Sequence, residues 1–149
     1  MADRSQCALL VVTGALPTFD GERLLQDTRR ICEQQIRFWH GPTGTAPPFE
    51  RYVFLLHAVE EGCSGLEHRD STALMVPRRD LPRRGADSMT DGLATALSLI
   101  SHEYFHAWNV KRLKPSDFAE LDYGRENHTR MLWFFEGITS YYDDLALLR

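Results

Sequence analysis

The sequence predicts an α+β fold in which helices pack on a small mixed sheet. Three apolar segments of strand length, at 8–13, 51–59 and 71–76, are rich in β-branched or aromatic residues. They are interspersed with three longer segments in which apolar residues recur at helical spacing. These predicted helices cover 20–39, about 90–109 and about 129–148.

The element ends and the chain length fit this interpretation. Asp20 is a suitable N-cap for the first helix, and Gly41 is typical of a residue that ends one. The segment 78–88 reads as irregular, and 113–130 as mostly loop. With 149 residues the chain fits one domain and is long enough to bury a core.

Composition narrows the classes of partner. The net charge of −4 argues against nucleic acid as the main partner. No apolar run is long enough to span a bilayer, and Ala8–Val12 is too short for a signal peptide. The odd number of scattered cysteines, Cys7, Cys32 and Cys63, indicates a reducing compartment without a disulfide framework. We therefore expect a cytoplasmic protein that binds neither nucleic acid nor membrane, while its oligomeric state stays open.

The most informative motif is His102-Glu103-Tyr104-Phe105-His106, which lies on the second predicted helix. Four residues of helix turn about 400°, so His102 and His106 project from nearly the same face. Two imidazoles placed in this way can bind one Zn²⁺, and Glu103 can act beside it as the general base for a water. The alternative is a solvated helix face that carries two incidental histidines.

Glu136 is the candidate third ligand. It is a lone carboxylate in the apolar and aromatic run 132–142. A buried, unpaired carboxylate is costly, and a metal ion would remove that cost. Two histidines and one glutamate leave a fourth position open for water, as in catalytic zinc sites. The alternative is that Glu136 caps or pairs near the start of a helix.

Other side chains are candidates for supporting roles. Asn109 and Ser140 could form hydrogen bonds to the metal ligands. The tyrosines of the two helices could stabilise an oxyanion, and spacing selects none of them: Tyr104, Tyr141 and Tyr142.

Three segments, 62–71, 102–115 and 132–142, together resemble the glycyl aminopeptidase family of zinc metallopeptidases and occur in that family's order. The resemblance implies a thermolysin-like subdomain of the gluzincin type, in which the active-site helix packs on a small mixed sheet. It also implies that residues 1–149 are a partial catalytic domain. The family's N-terminal β domain, C-terminal helical lobe and PDZ-like domain would then be absent here, and we expect them as partners of this chain.

The resemblance implies a zinc-dependent aminopeptidase that removes small N-terminal residues, Gly or Ala, from a peptide substrate. His102, His106 and Glu136 would hold zinc, and Glu103 would be the catalytic base for water that the metal activates. Two alternatives remain: a zinc endopeptidase of the same fold, and a catalytically silent peptide-binding module. The intact Glu103 argues against the binding module, which has no need of a general base.

The segment Gly65-Leu66-Glu67-His68 is the candidate substrate-binding region. Gly62 and Gly65 allow a tight turn or a close backbone approach. A strand near the active helix could add the substrate as an extra strand through backbone hydrogen bonds. By resemblance to zinc aminopeptidases, Glu67 would receive the substrate's α-amino group, with Gly65 and His68 beside it. The alternative is that Glu67 is an ordinary exposed turn residue.

Overall fold

A computed structural model describes residues 7–41 and 46–147 and confirms the α+β prediction. The described residues form one four-stranded mixed sheet and three α-helices. The strands are β1 (Cys7–Thr13), β2 (Arg51–Val59), β3 (Ser64–Glu67) and β4 (Ser71–Pro77). The helices are α1 (Gly21–His40), α2 (Asp91–Phe105) and α3 (Leu132–Leu147). Single 3₁₀ turns at Arg78–Asp80 and Ser116–Phe118 interrupt the two predicted irregular segments.

The sheet has the order β1-β2-β4-β3, which leaves β3 at an edge. β1 pairs with β2 and β2 with β4 in parallel, whereas β3 runs antiparallel to β4. The sequence predicted only a turn or close approach at this segment. The glycine-containing tetrapeptide has little strand propensity of its own, and its pairing with β4, from Ser64 opposite Met75 to Glu67 opposite Thr72, makes it a strand.

The core lies between the helices and one face of the sheet. In β2 the buried residues alternate with more exposed ones, so that Phe54 and Leu56 are buried while Leu55 is 48% exposed. Leu24 of α1 and Ile100 of α2 are fully buried in the same cluster. The helix that carries the histidine motif is therefore packed on the sheet, as predicted.

The ends of the helices differ from the prediction at two points. α2 begins after Thr90, whose hydroxyl accepts a hydrogen bond from the Leu93 amide, as expected of an N-cap. It ends at Phe105 rather than near 109, because the chain turns sharply there. His106 still donates its amide proton to the His102 carbonyl, so the helical spacing of the two histidines is kept. α3 begins at Leu132 rather than 129, and the predicted end at 148 lies outside the described residues.

Among the described residues, no helix is both long enough and apolar enough to cross a membrane. Cys32 and Cys63 are free thiols, the first buried and the second exposed.

Candidate metal centre

The three predicted metal ligands lie together between α2 and α3. The Nε2 atoms of His102 and His106 are 3.0 Å apart, and the Glu136 Oε2 atom lies 3.2 Å and 3.5 Å from them respectively. All three ligand atoms lie within 4.8 Å of one another. Two imidazole nitrogens and one carboxylate oxygen form a donor set that suits Zn²⁺.

Hydrogen bonds on the far side of each ring determine which nitrogen can bind a metal. The Nδ1 atom of His106 lies 2.9 Å from the Asn109 carbonyl oxygen, which can only accept, so Nδ1 carries the proton. The Nδ1 atom of His102 lies 2.7 Å from Oδ2 of Asp143, to which it donates in the same way. In the neutral form both Nε2 atoms therefore direct their lone pairs towards the point they share with Glu136.

Sequence reasoning missed Asp143, although a signal for it exists. Asp143 follows Glu136 by seven residues on the same helix, and seven residues turn about 700°, close to two full turns. The two carboxylates therefore share a face of α3, and only 4% of Asp143 is exposed. A carboxylate at this spacing from a ligand is a candidate partner for a metal-binding histidine.

Asn109 holds α3 against α2 on the other side of the site. Its side-chain amide donates to the Phe135 carbonyl and to the Thr139 hydroxyl, each at 3.0 Å. Thr139 is fully buried and its hydroxyl lies 3.5 Å from Nδ1 of His106, whereas the neighbouring candidate Ser140 is exposed to solvent. The hydroxyl that contacts the metal-ligand histidine is therefore that of Thr139 and not that of Ser140, as the sequence had suggested.

The charges of the cluster favour a cation between the two helices. Burial alone would lower the pKa of His102, but its hydrogen bonds to Asp143 and Glu136 outweigh this and raise the pKa to about 10. Hydrogen bonds from His102 and His106 hold the pKa of Glu136 far below its usual range. A divalent ion would take the place of the protons that now lie among these three side chains.

Glu136 is more exposed than the sequence predicted. Its side chain is 46% exposed and paired with both histidines, so the expectation of a buried, unpaired carboxylate was wrong. The reason is that the first turn of α3 faces outward, where Leu132 is 49% and Trp133 73% exposed. The exposure leaves the cluster open on one side, which a catalytic site requires.

Glu103 lies beside the cluster and is almost wholly buried, with 5% of the residue exposed. Burial raises the pKa of its carboxyl to about 7, with the two histidines opposing and Glu67 and Glu136 adding to the effect. Its Oε2 atom has no hydrogen-bond partner among the described residues. Because buried acceptors are rarely left unpaired, this orphaned oxygen marks a place for a bound group and fits a metal-dependent site.

The edge strand β3 brings two of the three predicted substrate-binding residues to Glu103. Gly65 packs so closely on Glu103 that an added Cβ atom would overlap the carboxylate. Glu67 projects from the same face of β3, and its Oε1 atom lies 3.0 Å from Nζ of Lys111. His68 is exposed in the turn after β3, where its Nδ1 atom lies 3.1 Å from the Leu66 carbonyl oxygen.

One of the candidate oxyanion donors is excluded by packing. Tyr104 is 2% exposed, and its ring packs edge-on against Tyr52 and Trp108 in the core. Tyr142 stacks on Phe105 with ring centroids 5.7 Å apart, and Tyr141 is 61% exposed.

The histidine motif of α2, a carboxylate from α3 and the edge strand β3 thus converge on one site. Residues 95–149 match the family model described as M61 glycyl aminopeptidase. The structure is similar to the crystal structure of an aminopeptidase N family protein from Idiomarina loihiensis, with a TM-score of 0.84 and 44% sequence identity. That similarity covers 93% of this chain and 22% of the other. No curated protein matches the chain.

These comparisons confirm the resemblance to the glycyl aminopeptidase family that the motifs predicted. The chain spans less than a quarter of the length of the similar crystal structure.

Proposed function

We propose that the chain provides the metal centre of a zinc aminopeptidase with a thermolysin-like, gluzincin-type catalytic subdomain. Its substrate would be a peptide from which it removes a small N-terminal residue, Gly or Ala. The observation that carries the proposal is the convergence of His102, His106 and Glu136 beside the orphaned carboxylate of Glu103. The preference for Gly or Ala is supported by the family resemblance.

His102, His106 and Glu136 would hold the zinc ion, which supplies a Lewis acid that polarises the scissile carbonyl and lowers the pKa of water to roughly 7. Asp143 and the Asn109 carbonyl would fix the two imidazole rings in the orientation that binding needs. The open side at Glu136 would admit the substrate.

Glu103 is the residue that moves the proton in this proposal. Its Oε2 atom is free to accept a proton from the attacking water and to return it to the leaving amine. Gly65 would pack against the carboxylate at a position where any larger side chain would overlap it.

The free edge of β3 would bind the substrate backbone as an additional strand. Successive residues of a strand point to opposite faces, so Gly65 over Glu103 and Glu67 two residues later share the face towards the site. The N–Cα and Cα–C bonds separate a substrate's α-nitrogen from its first carbonyl carbon by roughly 2.5 Å. A carboxylate close to Glu103 is therefore in a suitable place to receive the amine.

Substitution Glu103→Gln tests the proposed role in the full-length protein. The amide has nearly the same shape but cannot take up the proton, so peptidase turnover should fall by roughly 10²- to 10⁴-fold while zinc content stays the same. Glu126→Gln, at an exposed loop position, is the control and should leave turnover unchanged. A Glu103→Gln protein with more than about a tenth of wild-type turnover would reject the general-base role.

A zinc endopeptidase is the second candidate, and one observation favours it. The Glu67 carboxylate already has a cationic partner in Lys111, so it does not stand free to receive an amine. Cleavage of an N-acetylated peptide as fast as the free peptide would support the endopeptidase. Cleavage of the free peptide alone would support the aminopeptidase.

A further inference from the structure

We propose that Lys111 is a specificity-determining residue. Its ammonium group would occupy the Glu67 carboxylate as an internal stand-in for the α-ammonium of a substrate, which would have to displace it in order to bind. The inference rests on the proposed role of Glu67 as the group that receives the amine.

The position of the pair supports this exchange. Nζ of Lys111 lies 3.0 Å from Oε1 of Glu67, and the two side chains are 27% and 24% exposed. The pair is thus accessible from solvent without being fully hydrated. Glu67 also shares its face of β3 with Gly65, which packs directly on Glu103. The ion pair therefore stands next to the proposed catalytic base.

The backbone of Lys111 is fixed to the end of the metal-binding helix. Its amide donates to the His106 carbonyl at 3.1 Å. The preceding residue, Val110, is buried and has a φ of 113°, which a β-branched residue rarely adopts. Such a conformation persists only where the surrounding contacts enforce it, so the turn places Lys111 at a defined point relative to the metal ligands.

The neighbouring Arg112 shows what a purely structural contact looks like here. Its guanidinium donates to Asp70 and to three backbone carbonyls, of Pro48, Arg69 and Ala107. These bonds hold the β3–β4 turn to the end of α2. Lys111, in contrast, has Glu67 as its one side-chain partner among the described residues. Removing a single contact of this kind does not require the turn to open.

An exchange of one ammonium for another explains selectivity for a charged N-terminus. A substrate with a free amine breaks the ion pair between Lys111 and Glu67 but forms an equivalent ion pair with Glu67. A substrate with an acetylated N-terminus offers no cation, so Lys111 stays on Glu67 and the subsite stays occupied. Partly exposed ion pairs contribute little, and their usual range corresponds to a factor of about 1.4 to 5 in affinity. The competition is therefore weak enough for a substrate to overcome.

The test measures binding of glycinamide and N-acetylglycinamide to the full-length protein by NMR titration. In Lys111→Met the competing ammonium is gone, and glycinamide should bind about 1.4- to 5-fold more tightly than in wild type. N-acetylglycinamide carries no ammonium group, so its binding should not depend on Glu67 in either wild type or Lys111→Met. Lys111→Arg keeps a cation at this position and should behave as wild type. Lys114→Met removes the same charge from a lysine that bonds the Ala119 carbonyl, and should also behave as wild type.

Glu67→Gln separates this inference from the proposed function. If glycinamide binding is lost in Glu67→Gln but is equal or weaker in Lys111→Met than in wild type, Glu67 reads the amine and the role of Lys111 is wrong. If Glu67→Gln binds glycinamide as wild type does, the proposed role of Glu67 is itself wrong. Absence of glycinamide binding in both wild type and Lys111→Met would overturn both.

Discussion

The Oδ2 atom of Asp143 lies 2.7 Å from Nδ1 of His102, and this hydrogen bond joins α3 to the helix that carries the histidine motif. The preceding residue, Ser101, donates its hydroxyl to the backbone carbonyl of Asp143 at 3.1 Å. Two consecutive residues of α2 are thus bonded to one residue of α3. This double contact fixes how far α3 is shifted along α2, and with it the position of Glu136 relative to the two imidazoles.

Loss of the Asp143 carboxylate should weaken metal binding. In Asp143→Ala the His102 ring loses the partner that orients it, and partners of this kind are worth about 10- to 100-fold in metal affinity. Competition with a zinc chelator measures the change. Glu126→Ala removes an exposed carboxylate as the control and should keep wild-type affinity. Wild-type affinity in Asp143→Ala would show that the ring does not depend on this bond.

Gln35 of α1 should contribute to stability through its hydrogen bonds to Ser101, the residue that also bonds Asp143. Its side-chain amide donates to the carbonyl and the hydroxyl of Ser101 at 2.7 Å and 2.9 Å inside the core. Gln35→Leu leaves these buried groups of Ser101 without their donor, which costs about 1–3 kcal/mol in the free energy of unfolding. Urea denaturation measures this cost. Gln34→Leu, at the less buried neighbouring position, should change the free energy of unfolding by less than half as much, and equal effects would contradict the account.

Gly65 should tolerate no side chain. A Cβ atom at this position would overlap the Glu103 carboxylate, so Gly65→Ala forces β3 or Glu103 to move. Overpacking of this kind costs about 1–3 kcal/mol in the free energy of unfolding, and turnover should fall as the proposed base is displaced. Gly137→Ala is the matched control, because its Cβ would meet nothing within 4 Å in helix α3. That control should stabilise the protein by about 0.5–1 kcal/mol, and the reverse order of the two variants would contradict the structure.

The two described thiols should differ in reactivity. Burial raises the pKa of the Cys32 thiol to about 12, and a hydrogen bond to Tyr104 opposes this only in part. Cys63 is exposed, although partial burial also raises the pKa of its thiol. Because the thiolate is the reactive form, iodoacetamide at pH 8 should label Cys63 faster than Cys32, measured by mass spectrometry in a Cys7→Ser background. Equal labelling rates in the folded protein would mean that Cys32 is not enclosed as the structure shows.

Local patterns in the sequence predict much of the fold. The apolar spacing within 90–109 places α2, and the apolar run 51–59 matches β2 at both ends. The edge strand β3 was missed because its strand character comes from pairing with β4 rather than from its own residues. The end of α2 was placed too late because the turn depends on a positive φ at Val110. Valine rarely adopts this conformation, so its presence in the sequence does not predict a turn.

The sequence predicted those residues of the site that belong to a local motif, but not the contacts between distant segments. The spacing within the histidine motif places two candidate ligands on one helix face, and Glu136 was found from its surroundings in sequence. The pairing of Glu67 with Lys111 joins a strand end to a turn 44 residues later. No local pattern encodes such a contact, because it depends on how the β3–β4 turn packs against the end of α2.

Zinc content tests the central claim most directly. Elemental analysis of the purified chain after exposure to zinc should find about one ion per molecule, since two histidines and a glutamate suffice for a catalytic site. His106→Ala removes a buried ligand and should reduce the bound zinc to near zero, while His128→Ala, at a side chain that is 79% exposed, should retain it. Equal zinc in wild type and His106→Ala, or none in wild type, would contradict the assignment of this cluster as a metal centre.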